Sequence, residues 1–107
     1  MAIFVEKLKE LVWRKGKVVS GYDPNKWRQD FAGAWIYYDA YGTEGDYGWQ
    51  IDHVHPLSLG GDDTINNLMP IQWRNNVVKS NHYPEFKSVI TSEGNKNTRK
   101  EQTWVVR

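Results

Sequence analysis

Gly48-Trp49-Gln50-Ile51-Asp52-His53-Val54-His55-Pro56 sets apolar against polar side chains and stops at a proline. That is the pattern of a short strand whose pairing ends where a backbone N–H is missing. Asp52-His53-Val54-His55-Pro56 is also the densest group of ionisable side chains in the chain. Imidazole exchanges a proton near neutral pH and can take one from water. A carboxylate beside it can hold a hard divalent cation. In a regular strand Asp52 and His53 leave on opposite faces, while His53 and His55 share one. For one site to use both, the strand must end or distort there, which Pro56 and the glycines after it allow.

Downstream, Ser58 to Asp63, with Gly60-Gly61, reads as a turn or open loop. Asn66-Asn67-Leu68-Met69-Pro70 then leads into a helix expected over 71–80. On its wheel Gln72, Asn75, Asn76, Lys79 and Ser80 share one half. Ile71, Trp73, Val77 and Val78 take the other half, with Arg74 intruding. The polar half is expected to face a cleft or solvent and the apolar half the core. A cation beside Asp52 needs a further oxygen ligand, and Asn76 on the polar half is the candidate.

Upstream, Tyr41 to Gly48 contains three glycines and reads as a loop. Asp23 can cap a helix with Pro24 at its first position, running through Trp27, Phe31, Ala34 and Trp35 at i, i+4, i+7 and i+8. Ile3, Phe4, Leu8, Leu11 and Val12 predict a short amphipathic N-terminal helix. After Tyr83-Pro84, residues 86–91 and 102–107 are expected as the strands of a terminal hairpin, separated by a polar Ser92 to Lys100 loop.

A length of 107 residues fits one domain, 1–107, with a modest core. Aromatics reach 14%, and bulky rings close a small core without any ligand. The absence of cysteine excludes disulfides, a cysteine nucleophile and a thiolate zinc site. No apolar run suffices for a signal h-region or a membrane span, so a cytoplasmic protein without a membrane partner is expected. The net charge of +1 divides into +3 over residues 1–30, −6 over 31–69 and +4 over 70–107. A basic rim around an acidic centre suits a polyanion held over a metal.

Trp49-Gln50-Ile51-Asp52-His53, Pro56, Ser58, Gly60-Gly61, Asp63, Asn67-Leu68, Pro70, Asn76 and Lys79 together resemble the HNH endonuclease motif in order and spacing. The segment from Val12-Trp13 through Asp23-Pro24, Trp27-Arg28-Gln29-Asp30, Gly33 and Ile36 resembles the lead-in of a cysteine-free bacterial subgroup. The resemblance, which covers roughly residues 12–81, implies a ββα-metal finger (core about 48–81); with the N-terminal helical segment and the C-terminal β-hairpin read from the residue patterns, the expected fold is α+β. The resemblance implies His53 as general base and Asp52 and Asn76 as ligands of one divalent ion. Mg2+ is the expected ion, with Mn2+, Zn2+ or Ni2+ as substitutes. By the same resemblance Asn67 holds the loop and orients the base, and His55 contacts the scissile phosphate. Arg74 and Lys79 are the helix cations expected to meet nucleic acid, DNA in the first instance. Gln72 and Asn75 stand where other members carry a CxxC pair, so no structural zinc is expected. The alternatives are a nucleic-acid-binding module without turnover and a nuclease toxin effector.

Overall fold

The computed structural model describes residues 2–107, with side chains from Val5 onward. Helix α1 (Ala2–Trp13) is followed by strands β1 (Trp27–Gln29), β2 (Trp35–Tyr37), β3 (Trp49–His53) and β4 (Leu68–Gln72). Helix α2 (Trp73–Lys79) and the long strands β5 (Glu85–Glu93) and β6 (Lys96–Val105) complete the chain. The strands form three separate antiparallel pairs, β1–β2, β3–β4 and β5–β6. The fold is thus α+β, with β3, β4 and α2 as the expected ββα unit.

The first helix forms where expected, but it buries Val12 and Trp13 and leaves Val5, Leu8 and Leu11 exposed. The side chains of Ile3 and Phe4, part of the expected stripe, lie outside the described residues. Trp13 packs with Ile36 and Trp49, joined by Tyr38, Tyr41 and Ile51. Burying one such aliphatic side chain contributes roughly 1.5–3 kcal/mol. This cluster ties the N-terminal helix to the first residue of β3.

Residues 24–35 do not form the expected helix; they turn and enter the β1–β2 hairpin. Asp23 still caps a turn, accepting from Asn25 N at 2.9 Å. The helical spacing is broken by Asp30, whose Oδ1 accepts from Ala32 N and Ala34 N and folds the chain back across Gly33. The apolar residues then divide. Trp27 packs on Tyr37 and Tyr47, whereas Phe31 meets Phe86 and Trp104. Their burial is tertiary in origin and does not need helical periodicity.

Two further expectations are corrected. The helix begins at Trp73, because residues 68–72 pair with β3 from Trp49↔Gln72 to His53↔Leu68. Its wheel is only partly as expected: Ile71 is buried and Val78 packs on the core, but Gln72, Asn75 and Lys79 are buried too, while Val77 is 67% exposed. Polar side chains can line a core when each finds a partner, and these do. Gln72 Oε1 caps α2 by accepting from Arg74 N and Asn75 N. Asn75 Oδ1 accepts from Val89 N and Ile90 N of β5.

The C-terminal hairpin is longer than expected. Most of the polar segment 92–100 is strand, paired from Glu93↔Lys96 outward. Polar residues suit a ladder with a wet face. No helix among the described residues is long and apolar enough to cross a membrane.

Candidate active site

The β3 strand keeps its pairing with β4 through Asp52↔Met69 and His53↔Leu68. Of the two alternatives expected at Asp52-His53, the strand ends, at His53, and its register stays regular up to that point; the two side chains take different partners. Gln50 and Asp52, two residues apart, both meet α2. Gln50 Oε1 accepts from Asn76 Nδ2, and Asp52 Oδ2 lies 2.8 Å from Lys79 Nζ. His53 instead meets the loop, with Nε2 2.6 Å from Asp63 Oδ1.

Asp52 is 17% exposed at its side chain and Lys79 is 0%. Asp52 Oδ2 is buried and, despite that close ammonium, is in ion-pair contact without hydrogen-bond alignment. Lys79 Nζ also donates to His53 O at 3.0 Å. The surface role expected for Lys79 is corrected on this point: its ammonium is turned inward and occupied. Arg74 is exposed, with its guanidinium over the Trp73 ring at 5.0 Å.

The amide of Asn76 is oriented by its bond to Gln50, which leaves the carbonyl end as the one free to face a cation. Asp52 and Asn76 thus sit on one seam between β3 and α2. Among the described residues, no three His, Cys, Asp or Glu side chains gather into a metal-binding group.

The loop after β3 is built around Asn67. Its Oδ1 accepts from His55 N at 2.9 Å, and its Nδ2 donates to His55 O at 2.9 Å and Asp62 O at 2.7 Å. One amide therefore closes both ends of the 55–62 loop. Gly61 is required for this closure, because a Cβ there would lie 1.8 Å from His55 O. Gly60 precedes it at φ +97, a left-handed conformation open to glycine. Lys15 adds a brace from the far side, donating to Ile65 O at 2.7 Å and to Leu68 O.

His55 is held within the same loop. Its Nε2 lies 2.9 Å from Leu59 O, and its ring stacks on Tyr83 at 4.1 Å. An imidazole facing a carbonyl carries its proton on that nitrogen, so Nδ1 is the end left for another partner. A cleft of about 210 Å³ opens beside it, lined by His55, Gly60, Gly61, Asp62, Thr64, Asn66 and Asn67. The larger hollow of about 310 Å³, among Glu10, Trp13, Arg14, Asn25, Arg28 and Tyr38, contains none of the candidate residues. Within the cleft Asp62 accepts from the Thr64 hydroxyl and amide, which hold its carboxyl below the usual carboxylate value.

Sequence reasoning overlooked three contributors. Asp63 was read as a turn residue, although the glycine pair before it allows the chain to return to His53. Gln50 was given no role of its own in the strand or the motif, yet it orients Asn76. Tyr83 carries no local signal, since its contact with His55 is made through the fold.

Residues 45–85 match a family model described as HNH endonuclease, a span that contains β3, its loop, β4 and α2. No curated protein and no solved structure matches the chain.

Proposed function

We propose that the chain, whose residues 45–85 match the HNH endonuclease family model, cleaves phosphodiester bonds of nucleic acid, DNA in the first instance, with His53 as general base. One divalent ion, most readily Mg2+, is held by Asp52 and Asn76. The observation that supports this reading is the β3–α2 seam, where Asn76 meets Gln50 and Lys79 meets Asp52, with His53 ending the same strand.

The donor set fits such an ion. A carboxylate and an amide carbonyl are hard oxygen ligands, and Mg2+ commonly takes one or two protein groups and fills its shell with water and phosphate. When bound, the ion stabilises charge on the departing oxygen. The rest falls to the chain. His53 accepts the proton of the attacking water, and Asp63 at Nε2 fixes the orientation of the ring. Asn67 holds the loop that carries Asp62 and Asp63. His55, at the edge of the cleft, is the group that meets the scissile phosphate. Arg74 is the exposed cation of α2 and meets the nucleic-acid backbone.

Incubation with supercoiled plasmid, with and without Mg2+ or Mn2+, tests the reading. Metal-dependent nicking supports it. Salt-sensitive DNA binding without any cleavage by the folded protein contradicts it and favours a binding module.

A further inference from the structure

Lys79 is a fully buried ammonium at the last position of α2. Its neighbours are Asp52 Oδ2 at 2.8 Å, His53 O at 3.0 Å and the Phe86 ring at 5.2 Å. Burying a lone charge is costly unless it is paired and hydrogen-bonded. Here one carboxylate, one carbonyl and one ring face account for the whole ammonium. The charge therefore serves the two residues it touches, and both lie at the candidate site.

We propose that Lys79 is a positioning residue for Asp52, and that its resident charge keeps the nucleic-acid-free site a weak binder of divalent cations. This rests on the reading of Asp52 as a metal ligand. The ammonium engages Oδ2 and leaves Oδ1 as the oxygen for an ion. It also ties the carboxylate to the His53 carbonyl, so that ligand and base keep one spacing. Because Asp52 is already neutralised by Lys79, an incoming divalent ion meets little net charge there. The phosphate of a bound nucleic acid supplies the missing negative charge, so ion and substrate are taken up together. The chemical class that completes the site is a phosphodiester anion.

The direction of the effect separates this role from a merely structural one. Loss of a purely structural lysine loosens the site and weakens cation binding. Loss of a competing charge close to a ligand oxygen strengthens it, by roughly tenfold or more. The experiment is a Mn2+ titration of the nucleic-acid-free protein, with free Mn2+ read by its paramagnetic resonance signal. Wild type, Lys79→Met, Lys79→Gln and Asp52→Asn are compared, and folding is checked by circular dichroism. Gln remains a donor to Asp52 without the charge, so it covers a Met variant that does not fold.

The expected result is Mn2+ binding tightened roughly tenfold or more in a folded Lys79 variant, with plasmid cleavage at saturating metal slowed in the same variant. Unchanged or weaker Mn2+ binding in a folded Lys79 variant overturns the proposal. So does failure of both variants to fold, which would make Lys79 a residue of the fold alone. If Asp52→Asn abolishes Mn2+ binding while the Lys79 variants leave it unchanged, only the Lys79 role falls. If Asp52→Asn leaves binding intact, the ligand assignment beneath it falls as well.

Discussion

Asn75 Nδ2 donates to Asp30 Oδ2 at 3.0 Å, joining residues 45 positions apart in sequence at the centre of the fold. Asp30, 3% exposed, also accepts from Gln72 N, Ala32 N and Ala34 N. Asn75 reaches on to Val89 N, Ile90 N and Ile90 O. Two adjacent polar side chains thus hold the β1–β2 turn, the start of α2 and the middle of β5. With no cysteine in the chain, side-chain hydrogen bonds rather than a disulfide join these three parts, and α2 carries Asn76 one residue beyond the junction.

Asp30→Ala is expected to destabilise the protein by about 3 kcal/mol or more, since it strands several buried donors at once. Urea unfolding measures this. A loss below about 1 kcal/mol, the net worth of a single hydrogen bond, would contradict the central role given to Asp30.

Acid titration of the same junction has a definite sign. Burial pushes the Asp30 carboxyl above its ordinary value, while the hydrogen bonds from Asn75, Gln72, Ala34 and Ala32 pull it back. With a folded value above the unfolded one, the folded state holds more protons between the two values. Wild-type stability relative to Asp30→Asn should therefore decline as pH rises from the unfolded value of 3.8 through the raised folded one. Unfolding midpoints measured from acid to neutral pH check it. A difference that grows with pH would show that the four donors outweigh burial.

Asn67→Ala should release the 55–62 loop without unfolding the core, because its side-chain bonds go to loop backbone. Cleavage is expected to fall on the order of 10²-fold, the scale of misplacing catalytic groups by about an ångström. Hydrogen exchange at the His55 amide should accelerate. An unchanged exchange rate would contradict the clamp.

Asp63→Ala removes the carboxylate at His53 Nε2. Asp63 is 80% exposed at its side chain, so water replaces part of what it does. The rate should fall by less than the ~10²–10⁴-fold expected for removing the base itself, with KM little changed. A rise in KM at constant kcat would place Asp63 in substrate binding instead.

The motif segment was legible because its signals are local. Asp52, His53, Asn67 and Asn76 lie in one stretch, and Pro56 and the glycine pair mark where the backbone must turn. The burial of polar side chains on α2 was not legible, because polarity on a wheel predicts exposure only when partners are close in sequence. Asn75 and Lys79 are buried by Asp30, β5 and Asp52, which no helical period reveals. The same holds for residues 24–35: Trp27, Phe31, Ala34 and Trp35 keep helical spacing by coincidence, and the long-range bonds of Asp30 decide the turn. In the C-terminal hairpin, polar residues 92–100 resembled a loop because a ladder with a solvated face leaves little hydrophobic alternation.

The central claim is that His53 acts as base beside an ion held by Asp52 and Asn76. It is tested most directly by plasmid nicking at saturating Mg2+ with wild type and His53→Ala, together with Mn2+ binding by both. The account predicts a ~10²–10⁴-fold loss of nicking in His53→Ala with Mn2+ affinity retained. Equal rates for the two folded proteins would contradict it.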